Sequence, residues 1–226
     1  MPLQSLKQCL LLGASVCVGG LVAICGWAIF LAAPREITMG DVQRIVYLHV
    51  AVAWCGLAGC VAMGVSAATY LVRRVSAWDR WSQTAGELGW LCTTLTLATG
   101  SLWAHEAWNT WWTWEPRLTA SLVLWLGFAG YFLVRASLDD AERRARLSAV
   151  LAVLTLADVP LVIMATRWFR GIHPVTPEMD PRMRLVLLTC VVAISALFVL
   201  LAVLRKTQLD LAARVTLQER AVEIFN

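Results

Sequence analysis

Apolar residues run along this chain in six blocks, 9–33, 42–72, 84–104, 117–136, 147–167 and 183–204, and most of the charged residues fall between them. Each block reaches or exceeds the roughly 20 residues that carry an α-helix across a bilayer core. The pattern predicts an all-α integral membrane protein of six transmembrane helices, folded as a single domain over 1–226, with 205–226 as an amphipathic tail. The second block is longer than a bilayer requires and is expected to tilt or project. The first is longer than the roughly 7–15 residue core of a secretory signal and is followed by further blocks, so it reads as a retained helix.

Local signals place several helix starts. Asp41 precedes the second block and is expected to cap it, and Thr84 with Glu87 has the spacing of a capping box for the third. Pro116 and Pro181 stand where the fourth and sixth helices should begin, a position that suits proline. In the fifth block Pro160 deprives the Leu156 carbonyl of its helical partner, which predicts a kink. Asp158, beside it, is expected to be neutral and hydrogen-bonded across the bundle, with a proton-relay role as the weaker reading.

Composition agrees with the blocks. The hydrophobic share is 59% and the charged share 15%, against roughly half and a quarter in soluble domains. The formal charge of +4 is too modest for a nucleic-acid surface, and its placement says more. Of the 19 Lys and Arg, twelve fall on one side of the predicted membrane if the N-terminus is cytoplasmic. By the positive-inside rule both termini are then cytoplasmic. Seven arginines remain outside, a high number that suggests pairing with an anionic ligand. The seven cysteines all lie in apolar blocks without a CxxC pair and read as small buried hydrophobes.

All three histidines fall at the outer side in this topology. His49 lies inside the second block, where an ionisable residue is a functional candidate, although a hydrogen bond to a neighbouring helix would also account for it. His105 opens the second outer loop and His173 lies in the third. The stretch WNTWWTWEPRLT, Trp108–Thr119, holds four tryptophans, with Trp103 just before it. Two readings stand for Trp103, Trp108, Trp111, Trp112 and Trp114: an interfacial aromatic belt, partly on a short helix, or a shelf for a flat ligand. No P-loop, HExxH or Cys/His zinc spacing occurs. Two histidines facing an aromatic platform suit haem iron better.

At these residues a resemblance is visible. WNTWWTWEPRLT resembles the tryptophan-rich "WWD" motif of haem-handling membrane proteins, and the nearest likeness is to the cytochrome c maturation protein C family, also called haem exporter protein C. It extends through QRIVYLHVAVAW around His49, TGSLWAHEAW, and LADVPLVIMATRWFRGIHP followed by DPRMR. The resemblance implies a multi-pass protein of the bacterial inner membrane that holds haem b, non-covalently and transiently, at its periplasmic face. It implies delivery to a membrane-anchored haem chaperone, and partners resembling an ABC transporter's ATPase and membrane subunits plus a small single-span helper. No enzymatic activity is implied.

The family's two haem-ligand histidines fall on His49 and His173. With them, Trp103, Trp108, Trp111, Trp112 and Trp114 are expected to form the shelf, and Arg44 and Arg117 to meet the propionates, with Arg170 and Arg182 as second choices. Glu115 takes the place of the motif's usual Asp and is expected to orient Arg117 or meet the chaperone. Asn109 replaces a glycine usual after the first motif tryptophan, and His105 is an unexpected alternative axial ligand. The rival readings are a bis-histidine b-type cytochrome passing electrons from quinol, and a permease that moves haem itself.

Overall fold

The computed structural model describes residues 2–169, 171, 173 and 179–225. The chain is helical almost throughout, with no strand among these residues beyond a single Glu36–Gly40 bridge. Helix α1, Pro2–Trp27, runs on into a π-helical turn, Ala28–Ala32, and a short 3-10 turn at Asp41–Gln43 leads into α2, Arg44–Arg73. Then follow α3, Ser76–Trp108; α4, Pro116–Ser137; α5, Ala141–Leu156; α6, Val159–Trp168; and α7, Pro181–Phe225.

Among the described residues, five helical stretches are long and apolar enough to cross a membrane: Gln8–Ala32, Asp41–Arg73, Pro116–Ser137, Ala141–Trp168 and Pro181–Glu219. The third apolar block lies in α3, which is long enough at 33 residues but more polar. That polarity is consumed inside the bundle. Asp79 takes a two-pronged hydrogen bond from the Arg135 guanidinium at 2.7 and 3.1 Å, and Gln83 accepts from the same group at 2.8 Å. Glu87 accepts from Arg205 at 2.9 Å. These pairs tie α3 to α4 and α7 at the end of the bundle away from the tryptophan loop.

Helices α2 and α3 pack as an antiparallel pair through glycine. A Cβ added to Gly59 would lie 2.6 Å from the Gly89 Cα, and one on Gly56 would lie 2.8 Å from the Thr93 hydroxyl. Only residues this small let two backbones approach so closely. The register set there carries along the pair and brings His49 opposite Thr99 and Gly100. Met63, Phe128 and Tyr131 fill the core between α2, α3 and α4, and Tyr47 and Cys190 lie in a second cluster shared by α1, α2 and α7.

Pro116 and Pro181 do open their helices. The other start signals are corrected. Asp41 caps nothing with its side chain, which instead meets Arg44 at 3.0 Å. Helix α3 begins at Ser76, eight residues before Thr84, because the α2–α3 turn is made at Arg74 in the left-handed region (φ 55°). The Thr84 hydroxyl therefore bonds the Arg80 carbonyl at 2.8 Å, and Glu87 serves α7 rather than a capping box.

The fifth block breaks into α5 and α6. Ala157 and Asp158 donate back three residues, to Leu154 and Thr155, both at 3.1 Å, tightening the turn before Pro160 restarts the helix. The cross-bundle hydrogen bond expected of Asp158 is not formed: its Oδ2 is buried with no hydrogen-bond partner among the described residues. Two of the seven cysteines are not buried as expected. Cys9 and Cys17 are exposed on α1, and the buried thiols of Cys25 and Cys190 meet at 3.1 Å between α1 and α7. The tail is no separate element. It continues α7, whose 45 residues rise about 68 Å, roughly twice a bilayer core.

Candidate functional site

One end of the bundle holds a cavity lined among others by His49, Trp103, Trp108, Trp112, Arg117 and His173. Five parts of the chain meet there: α2, α3 with the loop after it, α4, α6, and the α6–α7 connection.

His49 is held by its neighbours on α3. Its ring packs on Gly100, where an added Cβ would come within 2.8 Å of Cε1. Its Nδ1 lies 3.0 Å from the Thr99 hydroxyl. That hydroxyl has one hydrogen, and it donates it back to the Leu95 carbonyl at 2.7 Å. With that hydrogen given to its own helix, the hydroxyl accepts from His49, which assigns the proton to Nδ1 and the lone pair to Nε2. This is the arrangement of a metal-ligating histidine, with the second nitrogen fixed by a hydrogen bond.

The tryptophans divide into two groups. Trp103 and Trp108 meet edge to face at 4.7 Å between centroids, and both line the cavity with Trp112. The buried indole N–H groups of Trp103 and Trp112 have no acceptor among the described residues. Trp111 and Trp114 do not line the cavity and are 54% and 76% exposed. The division comes from the backbone. Helix α3 stops at Trp108, and Asn109 takes the left-handed conformation (φ 54°, ψ 36°), its N–H bonding the His105 carbonyl at 2.9 Å. Residues 109–115 are not helical, so the expected short interfacial helix over Trp108, Trp111 and Trp112 is not formed. Asparagine is the residue other than glycine that best tolerates this cap, so the Asn109 departure keeps the turn a glycine would make.

Arg117, one residue inside α4, lines the cavity and forms no ion pair or hydrogen bond through its guanidinium among the described residues. Arg44 is placed elsewhere. It pairs with Asp41 and donates to the Ile29 carbonyl, which the π-turn leaves open. Arg182 stands in the first turn of α7 and is absent from the lining, and Arg170 lies outside the described residues. His105 also stays out of the lining: its ring stacks on Trp111 at 4.1 Å and its Nδ1 is 3.1 Å from Glu106. Glu115 turns toward the α6–α7 connection, where its Oε2 accepts the His173 backbone N–H at 3.4 Å.

Thr99, Gly100 and the Glu115–His173 contact were not singled out in the sequence. A signal existed for Gly100, since glycine inside a helix costs about 1 kcal/mol against alanine and marks a place where something approaches closely. No comparable signal marks Thr99, because threonine hydroxyls bond their own helix throughout α3.

The donor set defines what fits. Two imidazoles fall short of the four ligands of a structural metal site and suit an iron whose other positions are filled by its own ring. Three indoles offer apolar faces to such a ring, and two unpaired indole N–H groups and a guanidinium suit its carboxylates. The fold is that of a helical membrane protein whose cavity brings two imidazoles, three indoles and a guanidinium together at one end.

The chain belongs to the family described as "Heme exporter protein C", which matches residues 3–221. It is 31% identical over 176 residues to "Heme exporter protein C" of Bradyrhizobium diazoefficiens, covering 75% of this chain and 67% of that one. It is 28% identical over 186 residues to the protein of the same description in Escherichia coli strain K12, covering 73% and 76%. A "Putative cytochrome c biosynthesis ccmC-like mitochondrial protein" of Marchantia polymorpha is 29% identical over 163 residues, covering 71% and 69%.

Proposed function

We propose that this protein holds haem at the periplasmic face of the bacterial inner membrane and hands it to a membrane-anchored haem chaperone during cytochrome c maturation. Six crossings, with α3 as the polar member and α5–α6 as one broken crossing, put both termini on one side, and the excess of Lys and Arg there makes it the cytoplasm. The cavity end then faces the periplasm. Haem b is the cargo, bound non-covalently through its iron by His49 and His173, and no bond in it is made or broken here. The observation that carries the reading is the convergence of His49, His173, three tryptophans and Arg117 on one cavity.

Each group has a task that follows from its chemistry. His49 offers Nε2 because Thr99 retains the proton on Nδ1. Trp103, Trp108 and Trp112 exclude water from the ring faces, and the indole N–H groups of Trp103 and Trp112 join Arg117 in meeting the propionates. Arg44 supports this indirectly by anchoring the start of α2 on the end of α1. The exposed Trp111 and Trp114 form the landing surface for the chaperone. The remaining partners are an ABC transporter's ATPase and membrane subunits and a small single-span helper, with ATP used in those subunits.

The test is transfer. Haem-loaded protein in detergent, mixed with the apo-chaperone, should lose its haem absorption as the chaperone gains it. Haem that stays bound while cycling between oxidation states with quinol would favour the electron-transfer reading instead.

A further inference from the structure

Glu115 begins α4 without capping it. It occupies the N-cap with extended backbone (φ −70°, ψ 155°) and makes no side-chain cap hydrogen bond. Short acceptors such as Asp, Asn, Ser and Thr are the side chains that turn back onto the first-turn N–H groups. Glutamate, one methylene longer, reaches the α6–α7 connection instead. There its Oε2 accepts the His173 backbone N–H at 3.4 Å. The same carboxylate lies so close to Gly171 that a Cβ there would overlap it. Gly171 has no left-handed φ to account for its being glycine, so the missing side chain is what lets the carboxylate in.

We propose that Glu115 is a positioning residue: it docks the backbone of Gly171 and His173 onto the tryptophan loop and so sets the His173 imidazole in the cavity. This rests on the reading that His173 holds the haem iron. Neither Gly171 nor His173 lies in a helix, so their backbone N–H groups need partners from elsewhere, and a carboxylate is a good acceptor for them. At His173 the bond is to the backbone N–H, so it acts on the position of the residue itself. Two residues on, Arg117 lines the same cavity, so the stretch from Glu115 to Arg117 places an axial ligand and a cation together. Aspartate at 115 would favour capping α4 and would fall short of the connection.

The test uses the full chain purified in detergent and titrated with haem, with the absorption spectrum read at saturation. E115A, E115D and G171A should each bind about tenfold more weakly, as expected for losing a charge-assisted hydrogen bond. Each should also lose part of the six-coordinate signature, and added imidazole should restore it, as in H173A. E115Q, which keeps both length and acceptor, should stay closer to wild type than E115D. The thermal midpoint of E115D should not fall, because its cap compensates α4. If E115A does not fold, G171A carries the test from the other side of the contact. Wild-type affinity and spectrum in E115A and G171A, alongside haem loss in H173A, would overturn the positioning role and leave His173 as ligand. A wild-type spectrum in H173A would instead overturn the site reading beneath it.

Discussion

His49 Nδ1 and the Thr99 hydroxyl stand 3.0 Å apart, and the same hydroxyl lies 2.7 Å from the Leu95 carbonyl, a partner for its one hydrogen. The pair leaves His49 one neutral tautomer. T99V removes the acceptor and frees the ring to rotate or exchange tautomers, so haem affinity should fall by about 10–100-fold, the usual cost of losing an outer partner of a metal ligand. T99S, which keeps the hydroxyl, should bind as wild type. Haem titration of the two variants checks this.

Gly100 gives a second handle on the same ring. In G100A the new methyl would meet His49 Cε1 at 2.8 Å and push the imidazole off its seat, an overpacking cost of about 1–3 kcal/mol. Haem affinity should fall while helix content by circular dichroism stays unchanged. Equal haem affinity in G100A and wild type would show that the ring has room to move.

The indole N–H donors can be separated from the indole faces. W103F and W112F keep an aromatic wall and remove a donor that has no protein acceptor among the described residues. Each should weaken haem binding by about 1.5–3 kcal/mol if the N–H meets a propionate. A haem analogue with esterified propionates should bind wild type and the two variants alike. W111F and W114F, outside the lining, should leave haem affinity unchanged and affect transfer to the chaperone.

Stability away from the site rests on Arg135. Its guanidinium is nearly buried and holds Asp79, Gln83 and Ser148. D79A leaves that cation without its counter-ion, and loss of a buried partner costs about 3–5 kcal/mol. The thermal midpoint in detergent should drop clearly, while haem bound per folded molecule stays constant.

Much of this was legible from residue patterns, and the failures share a cause. The apolar blocks located the helices, and an ionisable residue in a span, His49, pointed to the cavity as surely as the tryptophan cluster did. What the patterns missed depends on partners distant in the chain. The early, polar turns of α3 are accommodated because Asp79 and Gln83 bond Arg135, which no local window contains. Arg44 looked available for a ligand, but the π-turn of α1 offers it a carbonyl. The tryptophans looked like one shelf, but Asn109 turns the chain and sends Trp111 and Trp114 outward. Glu115 looked like a shifted aspartate, whereas its extra methylene carries it to another connection.

The most direct test of the central claim is the haem absorption spectrum of the purified protein beside its H49A and H173A variants. If both imidazoles hold the iron, each variant should retain markedly less haem than wild type. Each should also lose the six-coordinate signature, with added imidazole restoring it. Unchanged haem content and an unchanged spectrum in both variants would contradict the account.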